Sequence, residues 1–356
     1  MKKIIEHFTH HRDDYECMWN GIEDIYINKT KENIPDQFFF GMSGFCGFAY
    51  LKTNKAELKR MVSFGDGRTK KMYEFLSPIA GFEYHFIESK TPEIALSKAK
   101  KEIDLGYPVV IGALDMYYLE YYPKLYHKNH IPFHYILMVG YDDISEHIYL
   151  YDCGRKEMLE LSYTNLLLGM NAEYEGLSRQ NTICTIRMEH PHPKKHIIKT
   201  ALGYKANLFI SPPMGFLGIN GMRKLARELP RWEKEIGKEE TVKIIRNMVY
   251  FSGSVPTTPN KLLGIQENDA VVFMCSRDKM GKLLKDIGAE YDSEPLGRAG
   301  GLFCESGQEF EKLCGVFIDY ILGNRDYSPE AGSILLRIAD LEYNAFKLIS
   351  DEVKIL

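Results

Sequence analysis

The stretch from Gly106 to Asp152 constrains the fold most, because three short runs of β-branched and aromatic residues follow one another there, bounded by Gly, Pro and Asp. Residues 106–115, 133–142 and 147–152 read as strands. His134 opens the second run and Asp152 closes the third. If these two strands pair antiparallel across the turn from Asp142 to Glu146, the imidazole and the carboxylate emerge at the same end of a sheet. That arrangement orients a histidine for proton transfer.

The rest of the composition narrows the setting. A chain of 356 residues is long enough for two domains and a sizeable core without disulfides. Forty-five basic against forty-nine acidic residues, a net charge of -4 with no long run of one sign, argues against nucleic acid or an anionic membrane as partner. The seven cysteines are spread without metal-type spacing and read as thiols of a reducing compartment. Met1 to His7 lacks the apolar core of a signal peptide, and no window approaches the ~20 apolar residues of a membrane helix, so a cytoplasmic protein is expected. The 23 tyrosines suit an aromatic-lined cleft and a β-rich core equally.

Taken in order, residues 1–16 read as a polar loop that Asp13 or Asp14 ends as a helix cap. Cys17, Ile22, Ile25 and Tyr26 recur at helical intervals, which predicts a helix to about Asn28 with Cys17 in its first turn. A thiol there is favoured as thiolate by the positive end of the helix. The competing reading is a buried structural thiol, the commoner fate of a single cysteine. Cys46 is the rival nucleophile. It lies in an aromatic run from Ile34 to Tyr50 with Gly41, Gly44 and Gly47, either a tight loop against the site or a packing corner. Thr91 to Gly106 carries a cap, a first-turn proline and a terminal glycine, and reads as a helix. Asp115 and the tyrosines after it, Tyr117 and Tyr118 first, form either a pocket wall or core.

Asn181 to Arg187 reads as a last strand. The prolines between His190 and His196 then interrupt regular structure and spread the three histidines there, so this is a linker rather than a metal site. Beyond it the apolar spacing predicts helices over 197–209, 218–237, 239–251, 277–289, 305–322 and 328–350. Gly297 to Phe303 reads as an interhelical break, an ordinary loop or an anion site assisted by Arg298. The expected division is therefore a domain over 1–190 and an α-helical domain over 197–356.

Cys17, His134 and Asp152 fall in the order nucleophile, base and orienter. Together with Phe40-Gly-Met-Ser-Gly-Phe-Cys-Gly-Phe-Ala-Tyr50, Gly106 to Tyr121, and Phe133-His-Tyr-Ile-Leu-Met-Val-Gly-Tyr-Asp142, they resemble the N-terminal domain of the butirosin biosynthesis protein H family, which is similar in fold to papain-like, C39-type cysteine peptidases. Gly221-Met-Arg-Lys-Leu-Ala, Trp232 and Arg298-Ala-Gly-Gly-Leu-Phe303 resemble the helical domain usually fused to it. The resemblance implies an α+β class: a papain-like N-terminal domain with a second, mainly helical one. It implies an acyltransferase that moves an acyl or aminoacyl group from a carrier-protein or small thioester to an amine acceptor through an acyl-cysteine. A C39-like peptidase or amidase, or an inert peptide- or carrier-binding protein, are the alternatives. Cys17, His134 and Asp152 are then catalytic, Asp115, Tyr117, Tyr118, Gly44 and Cys46 bind substrate, and no cofactor or metal is expected. The oligomeric state is left open, with a homodimer among the options.

Two departures from the peptidase pattern stand out. The glutamine expected shortly before the cysteine as oxyanion donor is absent, His10, His11 and Arg12 standing there instead. The hole is then built from the Cys17 backbone N–H and a neighbouring side chain, or is weakened. Glu16 replaces a histidine directly before the cysteine, and an anion beside a thiol raises its pKa.

Overall fold

Residues 1–12, 17, 20–43, 45–53, 58–65, 69–132, 134–172, 179–252 and 277–356 are described by the computed structural model. The elements begin with β1 (Lys2–Ile4), α1 (Asn20–Thr30), α2 (Phe38–Met42), β2 (Phe45–Lys52), β3 (Arg60–Gly65), α3 (Thr69–Ala80), β4 (Glu83–Glu88) and α4 (Pro92–Asp104). There follow β5 (Val109–Leu114), β6 (His134–Asp142), β7 (His147–Tyr151), β8 (Leu159–Ser162), α5 (Tyr163–Met170) and β9 (Thr182–Arg187). The remainder is helical: α6 (Lys194–Ile210), α7 (Gly218–Glu228), α8 (Trp232–Ile236), α9 (Lys238–Ser252), α10 (Arg277–Glu290), α11 (Glu294–Ile321) and α12 (Ser328–Glu352). The protein is thus mixed α/β, with an antiparallel sheet and a helical C-terminal region.

Met1–Phe39 with Arg68–Lys194 make one unit, and Phe40–Gly67 with Lys195–Leu356 make the other. The first holds a sheet in the order β4-β9-β5-β6-β7-β8, every pairing antiparallel. β5 pairs with β6 as far as Met138, and β1 takes over on Gly140 to Asp142. Gly140 permits this, since a Cβ there would stand 2.8 Å from the Lys3 carbonyl oxygen.

Side-chain alternation divides the sheet's two faces. Ile111, Ile136, Met138 and Ile183 turn to one side and join Ala95, Leu96, Ala99 and Ile103 of α4 in a common core. Val110 and Leu137 turn to the other, where Gly21 of α1 lies so close that a Cβ would sit 2.3 Å from Val110. α3 covers the same face further along, with Tyr73 stacked on Phe86, the cross-strand partner of Cys184. Helices on both faces explain why β5 and β6 are buried end to end and read as unbroken apolar runs. α4 forms as its signals dictate: Thr91 accepts from the Ile94 N–H and Pro92 occupies the first turn.

In the second unit, β2 and β3 form a hairpin that packs with the helices. Tyr50 is fully buried, stacks on Trp232 and donates its hydroxyl to Glu228 at 2.7 Å, while the Arg60 guanidinium meets Glu235 at 2.8 Å. These contacts, with the Tyr50 N–H on the Phe216 carbonyl, hold residues 40–67 to the C-terminal helices, whereas the sequence reading placed them within 1–190. Of the two readings of the stretch from Ile34 to Tyr50, a tight loop or an aromatic packing corner, the second fits its described residues: α2 buries Phe38, Phe39 and Phe40 completely and β2 follows. The helix expected over 218–237 is interrupted by a 3-10 turn at Leu229–Arg231, where Pro230 removes a backbone donor.

Gly297 to Phe303 is not a break either: it lies inside the continuous helix α11. Gly300 is contact surface, whereas a Cβ on Gly297 or Gly301 would meet nothing within 4 Å. A Cβ on Gly300 would stand 2.6 Å from the Gly281 carbonyl oxygen, and one on Gly288 would stand 2.8 Å from the Gly297 nitrogen. α10 and α11 therefore approach backbone to backbone, a gain in packing that offsets glycine's poor helix propensity. Arg277 at the start of α10 is completely buried, with Nε 2.7 Å from the Glu342 carboxylate, which also accepts from Ser306. Among the described residues no helix is long and apolar enough to cross a membrane.

Candidate active site

β6 begins at His134 and β7 ends at Tyr151, and Leu137 faces Tyr151 across the pair. His134 and Asp152 therefore leave the same end of the sheet, as the hairpin argument requires. His134 Nε2 lies 2.8 Å from Asp152 Oδ2 and 2.9 Å from Oδ1. The carboxylate accepts two further bonds, from the Tyr121 hydroxyl at 2.9 Å and the Cys153 N–H at 2.7 Å. Both members of the pair are buried, Asp152 completely. Tyr122 meets the His134 ring edge-on at 5.6 Å between centroids, and the Arg155 guanidinium lies 4.8 Å over the Tyr122 ring.

Cys17 is half-buried and stands in a turn, ahead of α1, not in the first turn of that helix. Its spacing with Ile22, Ile25 and Tyr26 reported the buried face of α1, whereas the thiol's own position follows from a non-local partner. That partner is His134. Burial is the largest influence and opposes a charge on this ring, but the Asp152 carboxylate and the Cys17 sulfur, each by charge and by a hydrogen bond, together outweigh it, so that His134 is held well above the ordinary histidine range. Tyr122 is pushed up by burial first and then by the neighbouring charges of Asp152, Cys153 and Cys17. The ring, the acid and two thiols thus share one neighbourhood.

Asp115, Tyr117 and Tyr118 are engaged in their own loop. One Asp115 oxygen accepts from the N–H groups of Tyr117 and Ile131, and the other meets His130 Nδ1 at 2.6 Å. Tyr117 stacks on His130 with 4.1 Å between centroids, and Tyr118 meets the same ring edge-on. Gly44 lies outside the described residues. Cys46 is in β2 of the second unit, its side chain likewise outside the description.

Sequence reasoning missed a second buried pair. His10 Nδ1 lies 2.8 Å from Asp24 Oδ2 of α1, and His10 Nε2 lies 2.9 Å from the Arg155 carbonyl oxygen. The ring also stacks on Tyr151, 4.5 Å between centroids. Burial opposes both charges and pushes the Asp24 carboxyl up, yet Asp24 and the Arg155 carbonyl still raise His10 above its ordinary range. We take His10 as the imidazolium, because both ring nitrogens face acceptors. A ring engaged on both sides cannot replace the missing glutamine as an oxyanion donor. Tyr121 and Tyr122, next in the run that was singled out at Tyr117, were the one legible signal among the residues around Asp152.

Residues 16–153 match the family model described as butirosin biosynthesis protein H, N-terminal, so the resemblance read from the sequence is found over this part of the chain. A search of curated proteins finds no match.

Proposed function

Starting from an N-terminal domain of the butirosin biosynthesis protein H family, we propose that the chain is a biosynthetic acyltransferase with a papain-like first domain, Cys17 as nucleophile, His134 as general acid and base, and Asp152 as its orienter. What supports this reading most is that His134 meets the Asp152 carboxylate at 2.8 Å and is held toward the imidazolium by both Asp152 and the Cys17 sulfur. With Nε2 given to Asp152, Nδ1 is the nitrogen left for sulfur.

The reaction then balances without a cofactor. The Cys17 thiolate attacks the carbonyl carbon of an acyl thioester, from a carrier protein or a small donor, and a new C–S bond forms. The carrier C–S bond breaks, and the departing thiolate takes the proton of the His134 imidazolium. An amine attacks the acyl-cysteine, the neutral ring accepts its proton, and the amide leaves with the thiolate and imidazolium restored. The Cys17 backbone N–H is the oxyanion donor in this scheme.

Incubating the protein with a small acyl thioester such as an acyl-N-acetylcysteamine, and weighing it intact, tests the assignment. An adduct of one acyl mass is expected in the wild type and none in Cys17→Ala. An adduct that survives Cys17→Ala overturns it. Adding an amine separates transfer from hydrolysis: an amide product supports the transferase, and free acid alone makes the site a hydrolase.

A further inference from the structure

Acyl transfer leaves one nearby side chain without a task. Cys153 follows Asp152, and in an extended strand two successive side chains point to opposite faces. Here the chain has left β7, and the turn closed by the Arg155 N–H on the Asp152 carbonyl, with Gly154 at φ 70°, folds both toward His134. One ligand atom each from His134, Asp152 and Cys153 lies within 4.8 Å of the other two, and among the described residues this is the group of metal-binding side chains that meets that condition.

We propose that His134, Asp152 and Cys153 form an inhibitory site for a thiophilic divalent cation, Zn²⁺ foremost. The donor set is imidazole nitrogen, carboxylate oxygen and thiolate sulfur, which suits zinc, whereas Mg²⁺ and Ca²⁺ take oxygen ligands in greater number. Bond lengths of about 2.0–2.3 Å put the ligands of a tetrahedral zinc roughly 3.3–3.6 Å apart. The His134 to Asp152 distance of 2.8 Å therefore opens slightly and the sulfur closes in. Cys153 is the partly exposed member and gives the ion its entry, while His134 and Asp152 form the buried wall. The acid is already oriented from outside by the Tyr121 hydroxyl and the Cys153 N–H, the support that metal-bound carboxylates use. Water takes the fourth position.

The consequence for the site follows from the nitrogen that is used. Metal on Nε2 occupies the nitrogen that meets Asp152 and ties up ring and acid together, so the group proposed to exchange a proton with Cys17 is withdrawn. Metal binding itself is independent of acyl transfer, because it uses Cys153 rather than Cys17, while the inhibition rests on the proposed roles of His134 and Cys17.

Titrating the chelator-treated full chain with CoCl₂ and then ZnCl₂ tests it. One equivalent of Co²⁺ is expected to give a thiolate-to-cobalt charge-transfer band that Zn²⁺ displaces, and Zn²⁺ should slow alkylation of Cys17 by iodoacetamide. Cys153→Ser should abolish the band and weaken Zn²⁺ binding at least about 100-fold, since outer-sphere changes alone cost 10–100-fold. Cys153→Asp, which retains a ligand, should keep Zn²⁺ inhibition without the band, and Cys17→Ala should keep the band while losing the acyl adduct. A band that persists in Cys153→Ser, or one lost in Cys17→Ala, overturns the assignment.

Discussion

The charge on Asp152 can be separated from its shape by Asp152→Asn. The asparagine oxygen can keep the position of Oδ1, still accepting from His134 Nε2 and the Cys153 N–H, while its amide donates to the Tyr121 oxygen in place of accepting from it. Orientation and tautomer of the ring then survive, and what is lost is the negative charge. A hydrogen bond to a charged group contributes about 1.5–3 kcal/mol and a neutral one about 0.5–1.5, so the imidazolium loses about 1–2 kcal/mol, a factor of about 5–30. Solvent screening does not reduce this, because Asp152 is fully buried and His134 is 5% exposed. The sign follows from the raised position of His134: weakening the imidazolium weakens the thiolate paired with it. Iodoacetamide alkylation of Cys17 near neutral pH, followed by mass, should therefore fall by up to about 5–30-fold, because the neutral thiol–imidazole pair gains on the ion pair. Unchanged or faster alkylation at neutral pH refutes the pairing of Cys17 with His134 and Asp152.

Tyr121→Phe removes one of the donors on the Asp152 carboxylate and should cost about 1.5–3 kcal/mol in a urea melt, with a smaller loss of Cys17 reactivity than Asp152→Asn; equal stability would show that bond to be inconsequential. In the helical unit, Gly281→Ala brings a Cβ to 2.7 Å from the Gly300 carbonyl oxygen and should destabilise by about 1–3 kcal/mol, whereas Gly301→Ala meets nothing within 4 Å and should stabilise by about 0.5–1 kcal/mol. Urea melts that rank the two variants the other way would contradict the close approach of α10 and α11. His10 stands above its ordinary range when folded, so its stabilisation is complete below the unfolded histidine value and is lost as the pH rises through the folded one. His10→Gln should accordingly cost about 1.5–3 kcal/mol at mildly acid pH and progressively less above neutrality, as urea melts over a pH series will show.

How far the sequence could be read depended on whether a residue's signal was local. β6, β7 and α4 were legible because their evidence lies in adjacent residues: Thr91 and Pro92 at a helix start, His134 and Asp152 at the ends of two runs joined by a short turn. Cys17 was identified as a candidate for a reason that did not hold. The helix periodicity described α1, while the relation of the thiol to His134 spans more than a hundred residues. His10 shows the same limit more sharply, with one partner 14 residues away and the other 145, and no spacing rule links them.

The glycines make the general point, because the same residue type carried opposite meanings. In Gly297 to Gly301 the local reading was flexibility, and flexibility predicts a break. The fold uses the missing side chain of Gly300 instead, letting α11 lie against Gly281 of α10, so the meaning of that glycine was written in a segment the local window did not include. Residues 40–67 follow the same logic. Their aromatic content suits either unit, and the choice was made by Trp232, Glu228 and Glu235, more than 170 residues downstream of their partners. A buried histidine–carboxylate pair is therefore easier to read than the unit that frames it when its two members sit at the ends of neighbouring strands. One turn, from Asp142 to Glu146, fixes their relation, and only the Cys17 thiol has to arrive from elsewhere.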